Sequence, residues 1–157
     1  MDEPLGGPPW LDEQEMRSWL ALVSLIIRLP ATLDAQLRRD ADITHFDYQV
    51  LAVLSAADDG SLRMRELGTF TDASLSRLSH CMSRLEQRGW VRRSVDPTDG
   101  RSTLATLTDA GVAKLVATAP GHVDAVRRHV LDPLTRRQVA ELGNIARRII
   151  DTAETDR

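Results

Sequence analysis

The sequence predicts a mainly α-helical chain with a single β-hairpin, and three observations support this fold class. Apolar residues recur at steps of three and four over most of the 157 residues, which is the spacing of amphipathic helices. The pattern becomes extended once, over 90–107, where two short strands flank a polar turn. Residues that cap or break helices separate the helical stretches. The chain is therefore expected to run as helices, a hairpin and further helices.

The first third of the chain is predicted to hold two helices behind a flexible leader. The leader, residues 1–10, is acidic and rich in Gly and Pro. A first helix spans about 11–39, and Pro30 within it is expected to kink or split it. Thr44 or Asp42 then caps a second helix, which ends at an Asp-Asp-Gly turn.

Two shorter helices follow. A third helix is predicted at about 63–70. A fourth helix, capped by Thr71 or Asp72, runs to about residue 88 and ends at Gly89.

The extended stretch predicts a β-hairpin with strands at 90–95 and 102–107 and a turn over 96–101. The remainder of the chain is helical again, and Pro120 and Pro133 are expected to interrupt it. Thr135 and Gln138 have the spacing of a capping box for the last helix, and no internal repeat is present.

This order of elements is that of a winged helix-turn-helix. The predicted fold class is mainly α, with a two-stranded β wing and with N- and C-terminal helices on either side. The winged-helix lobe is expected at about 42–108 and the helical regions at about 11–40 and 109–157. Together they are predicted to form one domain over 11–157.

Composition limits the class of protein. The chain is 42% hydrophobic and 27% charged, as is ordinary for a soluble globular protein. Its single cysteine, Cys81, excludes an internal disulfide and a multi-cysteine zinc site and fits a reducing compartment. No uninterrupted apolar run approaches the roughly 18 residues of a membrane span. A cytoplasmic protein without a membrane partner is expected.

Charge is distributed unevenly along the chain. The net charge is -3, yet the segment 62–101 carries eight arginines against five acidic residues, a net of +3. This asymmetry indicates either a basic face that binds phosphate or a solvated arginine-rich surface. Charge alone leaves both interpretations open.

The fourth helix separates its polar and apolar residues most clearly. At about 100° per residue, one stripe consists of Leu75, Leu78, Met82 and Leu85. The opposite face consists of Ser76, Arg77, His80 and Arg84. That face has no carboxylate, and a helix about 10–12 Å across fits the DNA major groove. The pattern predicts a DNA-recognition helix.

Four motifs in order resemble the multiple-antibiotic-resistance regulator (MarR) family of winged-helix repressors. They are Leu-Ser-Arg-Leu-Ser-His at 75–80, Arg-Leu-Glu-Gln-Arg-Gly-Trp-Val-Arg-Arg at 84–93, Asp-Pro-Thr-Asp-Gly-Arg at 96–101 and Leu-Thr-Asp-Ala-Gly at 107–111. Helix order and chain length agree as well, so the resemblance covers nearly the whole chain. One departure is the pair at 79–80, where the family often has Ser or Thr followed by Arg.

The resemblance implies a set of DNA contacts. The wing arginine, Arg101, would enter the minor groove, and Asp99 would orient its guanidinium through a bidentate pair. The alternative is a simple turn with a solvated Arg101. The expected DNA-binding residues are Ser74, Ser76, Arg77, Ser79, His80, Arg84, Asp99 and Arg101. Ser74 has capping as its alternative role, and Ser79 has a local backbone contact.

Apolar stripes near both ends of the chain suggest association. The last helix has Val139, Leu142, Ile145 and Ile149 in one stripe, and the first helix carries an apolar run at 25–27. These helices could pack on each other within one subunit. The resemblance instead implies an intertwined homodimer that binds a pseudo-palindromic operator with half-site centres roughly 34–36 Å apart.

The resemblance also implies regulation by a small effector, often an aromatic or phenolic acid. Trp19, His45 and Tyr48 are the candidate lining residues, although aromatic side chains in helices also serve as core. Oxidation of Cys81, beside His80, is a second route to regulation. It requires a thiolate, and a packing role for Cys81 is the alternative.

Catalytic and metal-binding patterns are not found in the sequence. There is no Gly-rich phosphate loop and no His-x-x-x-His pair, and the four histidines are scattered. We therefore expect no enzyme, cofactor or metal. The prediction is a double-stranded DNA-binding transcriptional regulator, a homodimeric repressor relieved by a ligand. The alternatives are a redox-responsive regulator acting through Cys81 and a winged-helix protein-interaction module that does not bind DNA.

Overall fold

The computed structural model describes residues 10–155 of the chain. The α-helices are α1 (Glu13–Ala41), α2 (His45–Ala56), α3 (Met64–Phe70), α4 (Leu75–Gln87), α5 (Asp109–Val126) and α6 (Arg136–Thr155), and a π-helical segment follows α5 at Arg127–Leu131. The strands are β1 (Ser61–Arg63), β2 (Val91–Asp96) and β3 (Asp99–Leu107). The mainly α fold with a β wing is confirmed. Apart from Trp10, the predicted leader lies outside the described residues.

The chain divides into two compact units, Met1–Thr32 and Leu33–Arg157. The division falls within α1, whereas the sequence predicted one domain over 11–157. The second unit contains the whole predicted winged-helix lobe. That lobe holds every predicted DNA-binding residue.

Two prolines lie inside continuous helices, which corrects the expected interruptions. Helix α1 runs through Pro30 and α5 runs through Pro120. A proline removes one helical hydrogen bond, and in each helix the turns on either side continue. The chain does leave its helix at Pro133, between the π-helical segment and α6. Thr135 and Gln138 form the expected capping box there, with 2.9 and 3.3 Å hydrogen bonds.

The sheet has three antiparallel strands in the order β1-β3-β2, so the predicted two-stranded wing is extended by β1. Leu62 of β1 pairs with Ala105 of β3. The hydroxyl of Ser61 donates to that of Thr106 across the same pair of strands, at 2.9 Å. Strand β1 therefore anchors the wing to the segment that enters α3.

The turn of the wing is tighter than predicted. It consists of Pro97 and Thr98 alone, while Asp99 and Gly100 are already part of β3. The Asp96 carboxylate accepts hydrogen bonds from the amide and the hydroxyl of Thr98, at 2.8 and 2.7 Å. These bonds close the turn in the way an aspartate does at the first turn position.

The core of the second unit lies between α2, α3, α4 and the sheet. Its fully buried side chains include Val50, Leu51, Leu54, Leu67, Leu78, Met82 and Leu85. Burial of each such side chain stabilises the fold by about 1.5–3 kcal/mol. Leu75 was expected in this stripe but is 61% exposed, because it is the first residue of α4 and precedes the turn that packs on α3.

Several helices leave apolar side chains uncovered. Helix α6 has no buried residue, and its exposed apolar residues are Leu142, Ile145, Ile149 and Ile150. Helix α1 likewise exposes Trp19, Leu20, Leu25, Ile26 and Ile27. Among the described helices, α1 alone is long and apolar enough to cross a membrane by length and composition. It passes by average hydropathy, because Arg28 and Asp34 interrupt its apolar residues.

Candidate nucleic-acid interface

Helix α4 begins at a side-chain cap. Ser74 has extended backbone angles, and its hydroxyl accepts a hydrogen bond from the Arg77 amide at 3.3 Å. Such a cap contributes about 1 kcal/mol to helix stability. The predicted caps, Thr71 and Asp72, lie before the helix and do not cap it. Of the two roles considered for Ser74, the structure shows the capping role.

The outward face of α4 is polar and carries no negative charge. Ser76, Arg77, Ser79 and His80 are exposed. The sequence from Leu75 to Leu85 contains no acidic residue. Buried Leu78, Cys81, Met82 and Leu85 occupy the opposite side. The predicted separation of the two faces is therefore present, with exposed hydrogen-bond donors along one side of the helix.

Arg77 is held against helix α2. Its guanidinium carbon lies 4.1 Å from the centroid of the Phe46 ring, within the range of a cation–π contact. Stacking uses the flat face of the guanidinium and leaves the N–H groups at its edge available. Arg77 is exposed, so those donors can meet a ligand without losing an internal ion pair.

Arg84 is held by an ion pair, which corrects its expected role as a free reader of the major groove. Its Nη2 lies 2.7 Å from Oδ1 of Asp47 in α2. The Asp47 side chain is 8% exposed and the Arg84 side chain 51%. Periodicity placed Arg84 on the outward face because it follows Arg77 by two turns, but the long side chain reaches back to α2.

The Asp47 carboxylate joins several groups. It accepts hydrogen bonds from the Thr44 amide at 3.0 Å and from the Cys81 thiol at 3.1 Å, besides Arg84. Burial raises the pKa of Asp47, but the bonds from Thr44, Cys81 and Arg84 outweigh it and hold the pKa below its ordinary value. Thr44 and Asp47 also complete a capping box for α2, so Thr44 is confirmed as the cap.

The environment of Cys81 opposes the oxidation hypothesis. Its side chain is fully buried in the core of the lobe. Burial, together with the Asp47 carboxylate beside the sulfur, raises the pKa of the Cys81 thiol far above its ordinary value. A redox-sensing cysteine needs an accessible thiolate. Of the two interpretations, the structure favours a packing residue that donates to Asp47.

The wing presents Arg101 without the predicted partner. Oδ1 of Asp99 accepts from the Arg101 backbone amide at 3.1 Å, and Oδ2 accepts from the Ser102 hydroxyl at 2.7 Å. The expected bidentate pair between Asp99 and the Arg101 guanidinium is therefore wrong, since the carboxylate accepts from the Arg101 amide and the Ser102 hydroxyl instead. These two bonds, that from Ser102 first, lower the pKa of Asp99. The Arg101 side chain forms no ion pair within the described part of the chain.

Beside the turn of the wing lie residues that the sequence patterns did not predict. Arg63 Nε lies 2.7 Å from Oδ2 of Asp96, and the Thr98 amide bond and this ion pair together hold the pKa of Asp96 well below its usual range. An open cavity of about 470 Å³ separates the start of α3 from the wing, and exposed Arg65 and Arg101 both line it. Only the β1–β3 pairing brings Arg65 near Arg101, so local sequence patterns carried no signal for this arrangement.

The net positive charge of 62–101 is partly neutralised inside the lobe. Four of its arginines form ion pairs with acidic residues: Arg63, Arg84, Arg88 and Arg93. The other four form no ion pair with any described residue: Arg65, Arg77, Arg92 and Arg101. Three of these, Arg65, Arg77 and Arg101, lie on the α3 start, α4 and the wing, so the uncompensated charge is placed where a winged helix meets nucleic acid.

The predicted effector residues are placed separately. Trp19 belongs to the first unit, where it is 52% exposed. In the second unit His45 and Tyr48 of α2 meet His122 of α5, with ring centroids of the two histidines 5.7 Å apart and of Tyr48 and His122 4.4 Å apart. Burial lowers the pKa of both His45 and His122. His122 was not among the predicted effector residues.

Two buried polar atoms accompany this cluster. His122 Nδ1 and Gln36 Oε1 have no hydrogen-bond partner within the described residues. Unpaired buried polar atoms are rare in folded proteins and need an explanation. No group of three or more potential metal-ligating side chains occurs among the described residues.

A three-helix core with an exposed, donor-rich α4 beside a β-hairpin defines the winged helix-turn-helix class. Within that class, residues 41–102 match the model of the MarR family. The chain is also 43% identical to Sco3205, a MarR family transcriptional regulator of Streptomyces coelicolor whose crystal structure was solved in complex with DNA. That match covers 93% of this chain and 91% of Sco3205, with a TM-score of 0.89. The chain belongs to the MarR family of transcriptional regulators.

The chain is also similar to two curated HTH-type regulators from Bacillus subtilis (strain 168). The transcriptional repressor MdtR is 27% identical over 108 residues, which are 69% of each chain. The uncharacterized HTH-type transcriptional regulator YdcH is 28% identical over 81 residues. That match covers 50% of this chain and spans about half the length of YdcH, 55%.

Proposed function

We propose that the protein regulates transcription by binding double-stranded DNA sequence-specifically, as a homodimeric repressor in the cytoplasm. The observation that carries the proposal is the outward face of α4, which exposes Arg77 and His80 with no carboxylate. Next to it is a wing whose Arg101 forms no ion pair with a described residue. Phosphate and base edges are the partners that such a set of donors fits. That Sco3205 was crystallised with DNA and that MdtR is a repressor are consistent with it.

The residues divide into three roles. Ser76, Arg77 and His80 would face base edges in the major groove, where arginine pairs with guanine and a neutral imidazole donates one hydrogen bond. Arg84 and Ser79 would contact the backbone, and Ser74 would do so through its capped helix end. Arg101, with Arg65 across the cavity, would track the neighbouring minor groove, and Asp99 would shape the wing around it.

Exposed apolar side chains support the homodimer. Helix α6 buries none of its residues in the single chain, although it carries an apolar stripe, and α1 exposes apolar side chains as well. Monomers rarely expose large contiguous apolar patches. A two-fold dimer would place two recognition helices about one DNA turn, roughly 34–36 Å, apart.

Ligand relief is proposed at the cluster of His45, Tyr48 and His122. The ring of an aromatic effector would stack in this cluster, a phenolic O–H would donate to Gln36 Oε1, and an acidic oxygen would accept from His122 Nδ1. Neither of these two atoms has a partner among the described residues. If the effector binds the conformation of the dimer that does not fit DNA more tightly than the one that does, effector binding releases DNA.

The proposal is tested by selecting genomic DNA fragments with the purified protein and sequencing them. We expect enrichment of one pseudo-palindromic motif, and sedimentation at micromolar concentration should show a dimer. Phenolic and heterocyclic acids should raise the melting temperature of the wild type but not of Tyr48→Ala. Failure to enrich any DNA motif would instead support the protein-interaction module.

A further inference from the structure

The first turn of α2 holds both arginines of α4. Phe46 and Asp47 are neighbours in the chain; the first lies under the Arg77 guanidinium, and the second pairs with Arg84. Arg77 and Arg84 are seven residues apart, about two helical turns, so they project from the same side of α4. One short stretch of α2 therefore sets the positions of two cationic groups.

The Asp47 carboxylate has no freedom to turn away. Oδ2 accepts from the Thr44 amide, while Oδ1 accepts from both Cys81 Sγ and Arg84 Nη2. The side chain is 8% exposed, so it contacts no ligand outside the lobe. Its bond to Arg84 links it to a side chain that is half exposed.

Arg84 keeps donors available beyond this ion pair. A guanidinium has five N–H groups in a rigid plane, and Arg84 uses Nη2 alone for a hydrogen bond to Asp47. Its side chain is 51% exposed. Because one edge of the Arg84 guanidinium is fixed on a buried carboxylate, the other edge is available to a ligand. The side chain then loses less rotamer freedom when that ligand binds.

We infer that Asp47 is a positioning residue for DNA binding, which acts by holding Arg84 so that its free edge meets a backbone phosphate. The inference rests on the proposed function. Arg84 then fixes the register of α4 on the duplex and reads no base. We expect lysine to replace it poorly, because an ammonium is a compact point charge on a flexible stem and has no planar fork that Asp47 could hold in one orientation.

Electrostatics alone predicts the opposite sign. A carboxylate close to a phosphate-binding surface repels DNA, so its neutralisation should strengthen binding. A positioning role predicts that neutralisation weakens binding, because Arg84 loses its anchor. The direction of the change therefore separates the two accounts.

The experiment is a double-mutant cycle with Asp47→Asn and Arg84→Ala, measured by fluorescence anisotropy on the selected duplex over a series of salt concentrations. Asparagine keeps the shape and the capping ability of residue 47. We expect each single variant to weaken binding about tenfold, as for loss of a charged hydrogen bond. The double variant should bind no worse than Arg84→Ala. In Arg84→Ala, the slope of log affinity against log salt concentration should fall by about one, the value for one lost phosphate contact.

The matched control is Asp132→Asn, since Asp132 is another carboxylate paired with an arginine, Arg127, and this pair lies after α5 and not in the first turn of α2. It should leave DNA affinity unchanged. The inference would be overturned if Asp47→Asn bound DNA more tightly than the wild type. It would also be overturned if the affinity loss of the double variant equalled the product of the two single losses. Either result would leave the proposed function intact. If the wild-type protein binds no selected duplex, both the inference about Asp47 and the proposed function are wrong.

Arg84→Lys keeps the test decisive if Asp47→Asn fails to fold. It retains the charge and leaves Asp47 a cationic neighbour. The inference predicts a loss close to that of Arg84→Ala. Near wild-type affinity would show that charge alone suffices and would contradict it.

Discussion

The two arginine-bearing parts of the lobe are organised in opposite ways. On α4, Arg77 lies on the Phe46 ring and Arg84 on the Asp47 carboxylate. On the wing, Arg101 has no ion-pair partner among the described residues, and Asp99 bonds the backbone instead. Ordering a free arginine side chain costs up to about 2 kcal/mol. The helix therefore offers pre-oriented contacts, and the wing offers one that adapts to the groove it meets.

The largest effect is expected where the wing joins the helical frame. A Cβ at Gly111 of α5 would lie 2.1 Å from the Trp90 carbonyl oxygen and 2.7 Å from a Leu107 methyl carbon. Gly111→Ala should therefore lower the free energy of unfolding by about 3 kcal/mol through overpacking, measured by urea denaturation. If the wing keeps its structure when its junction with α5 is disturbed, NMR should still detect the pairing of β2 with β3 in this variant.

Gly143→Ala provides the matched control for that substitution. A Cβ at Gly143 of α6 meets only the tip of the Arg147 side chain, at 3.8 Å. It should raise the free energy of unfolding by about 0.5–1 kcal/mol, because alanine favours the helix. A Gly111→Ala variant as stable as Gly143→Ala would show that the contact with Trp90 yields easily.

The next effect concerns the free arginine. Arg101→Ala should weaken operator binding by about 1–3 kcal/mol and reduce the salt slope by about one, with little change in melting temperature. Arg137→Ala is the control, since Arg137 is an exposed arginine on α6 paired only with Glu141. Equal affinities of the two variants would show that the wing does not touch DNA.

A smaller effect is the pH dependence of stability, which differs between the histidine cluster of α2 and α5 and the Asp47–Arg84 pair. Burial lowers the pKa of His45 and His122 below their unfolded value of about 6.5, so their contribution to stability is full above that pH. It is lost as pH falls through the folded pKa values. The pKa of Asp47 is also lowered, so the Asp47–Arg84 pair is lost only as pH falls below about 3.8. Thermal melts between pH 7.5 and 5 should show decreasing stability.

Substitution of one histidine gives the check on that assignment. His122→Gln should flatten the dependence of the melting temperature on pH in this window, since glutamine does not titrate. The slope of Asp47→Asn should equal that of the wild type between pH 7.5 and 5. An unchanged slope in His122→Gln would assign the loss to another group.

The smallest effect should come from the wing aspartate. Because Asp99 bonds the Arg101 amide and the Ser102 hydroxyl, Asp99→Ala should change operator affinity by no more than about threefold. A carboxylate that held the Arg101 guanidinium would make the same substitution cost more than tenfold. Anisotropy titrations of Asp99→Ala beside Arg101→Ala distinguish the two, and a loss as large as that of Arg101→Ala would restore the paired arrangement.

The sequence predicted the elements whose signals are local. The stripe of Leu78, Met82 and Leu85, the Thr44 cap and the hairpin all depend on spacings of a few residues, and the structure confirms them. Strand β1 was missed because three residues are too few for a periodicity. Of the two expected effects of Pro30, a kink or a split, the split does not occur, since a proline signal is a local penalty that neighbouring turns can absorb.

The contacts of the site could not be predicted in the same way. Asp47 and Arg84 are 37 residues apart, and Arg63 and Asp96 are 33 apart, so their pairing depends on how α2, α4 and the sheet pack. A helical projection showed which side of α4 each arginine starts from. It could not show that a long side chain bends back to a buried acid, nor that the Asp99 carboxylate prefers nearer donors to the adjacent guanidinium.

The central claim is that the outward face of α4 and the tip of the wing meet DNA together. The most direct test is the affinity of the Arg77→Glu/Arg101→Glu double variant for the selected duplex, compared with the wild type at one salt concentration. Circular dichroism would first establish that the variant is folded. The account predicts a loss of at least about thirtyfold, the factor that corresponds to two contacts of at least 1 kcal/mol each. Affinity within threefold of the wild type would contradict it.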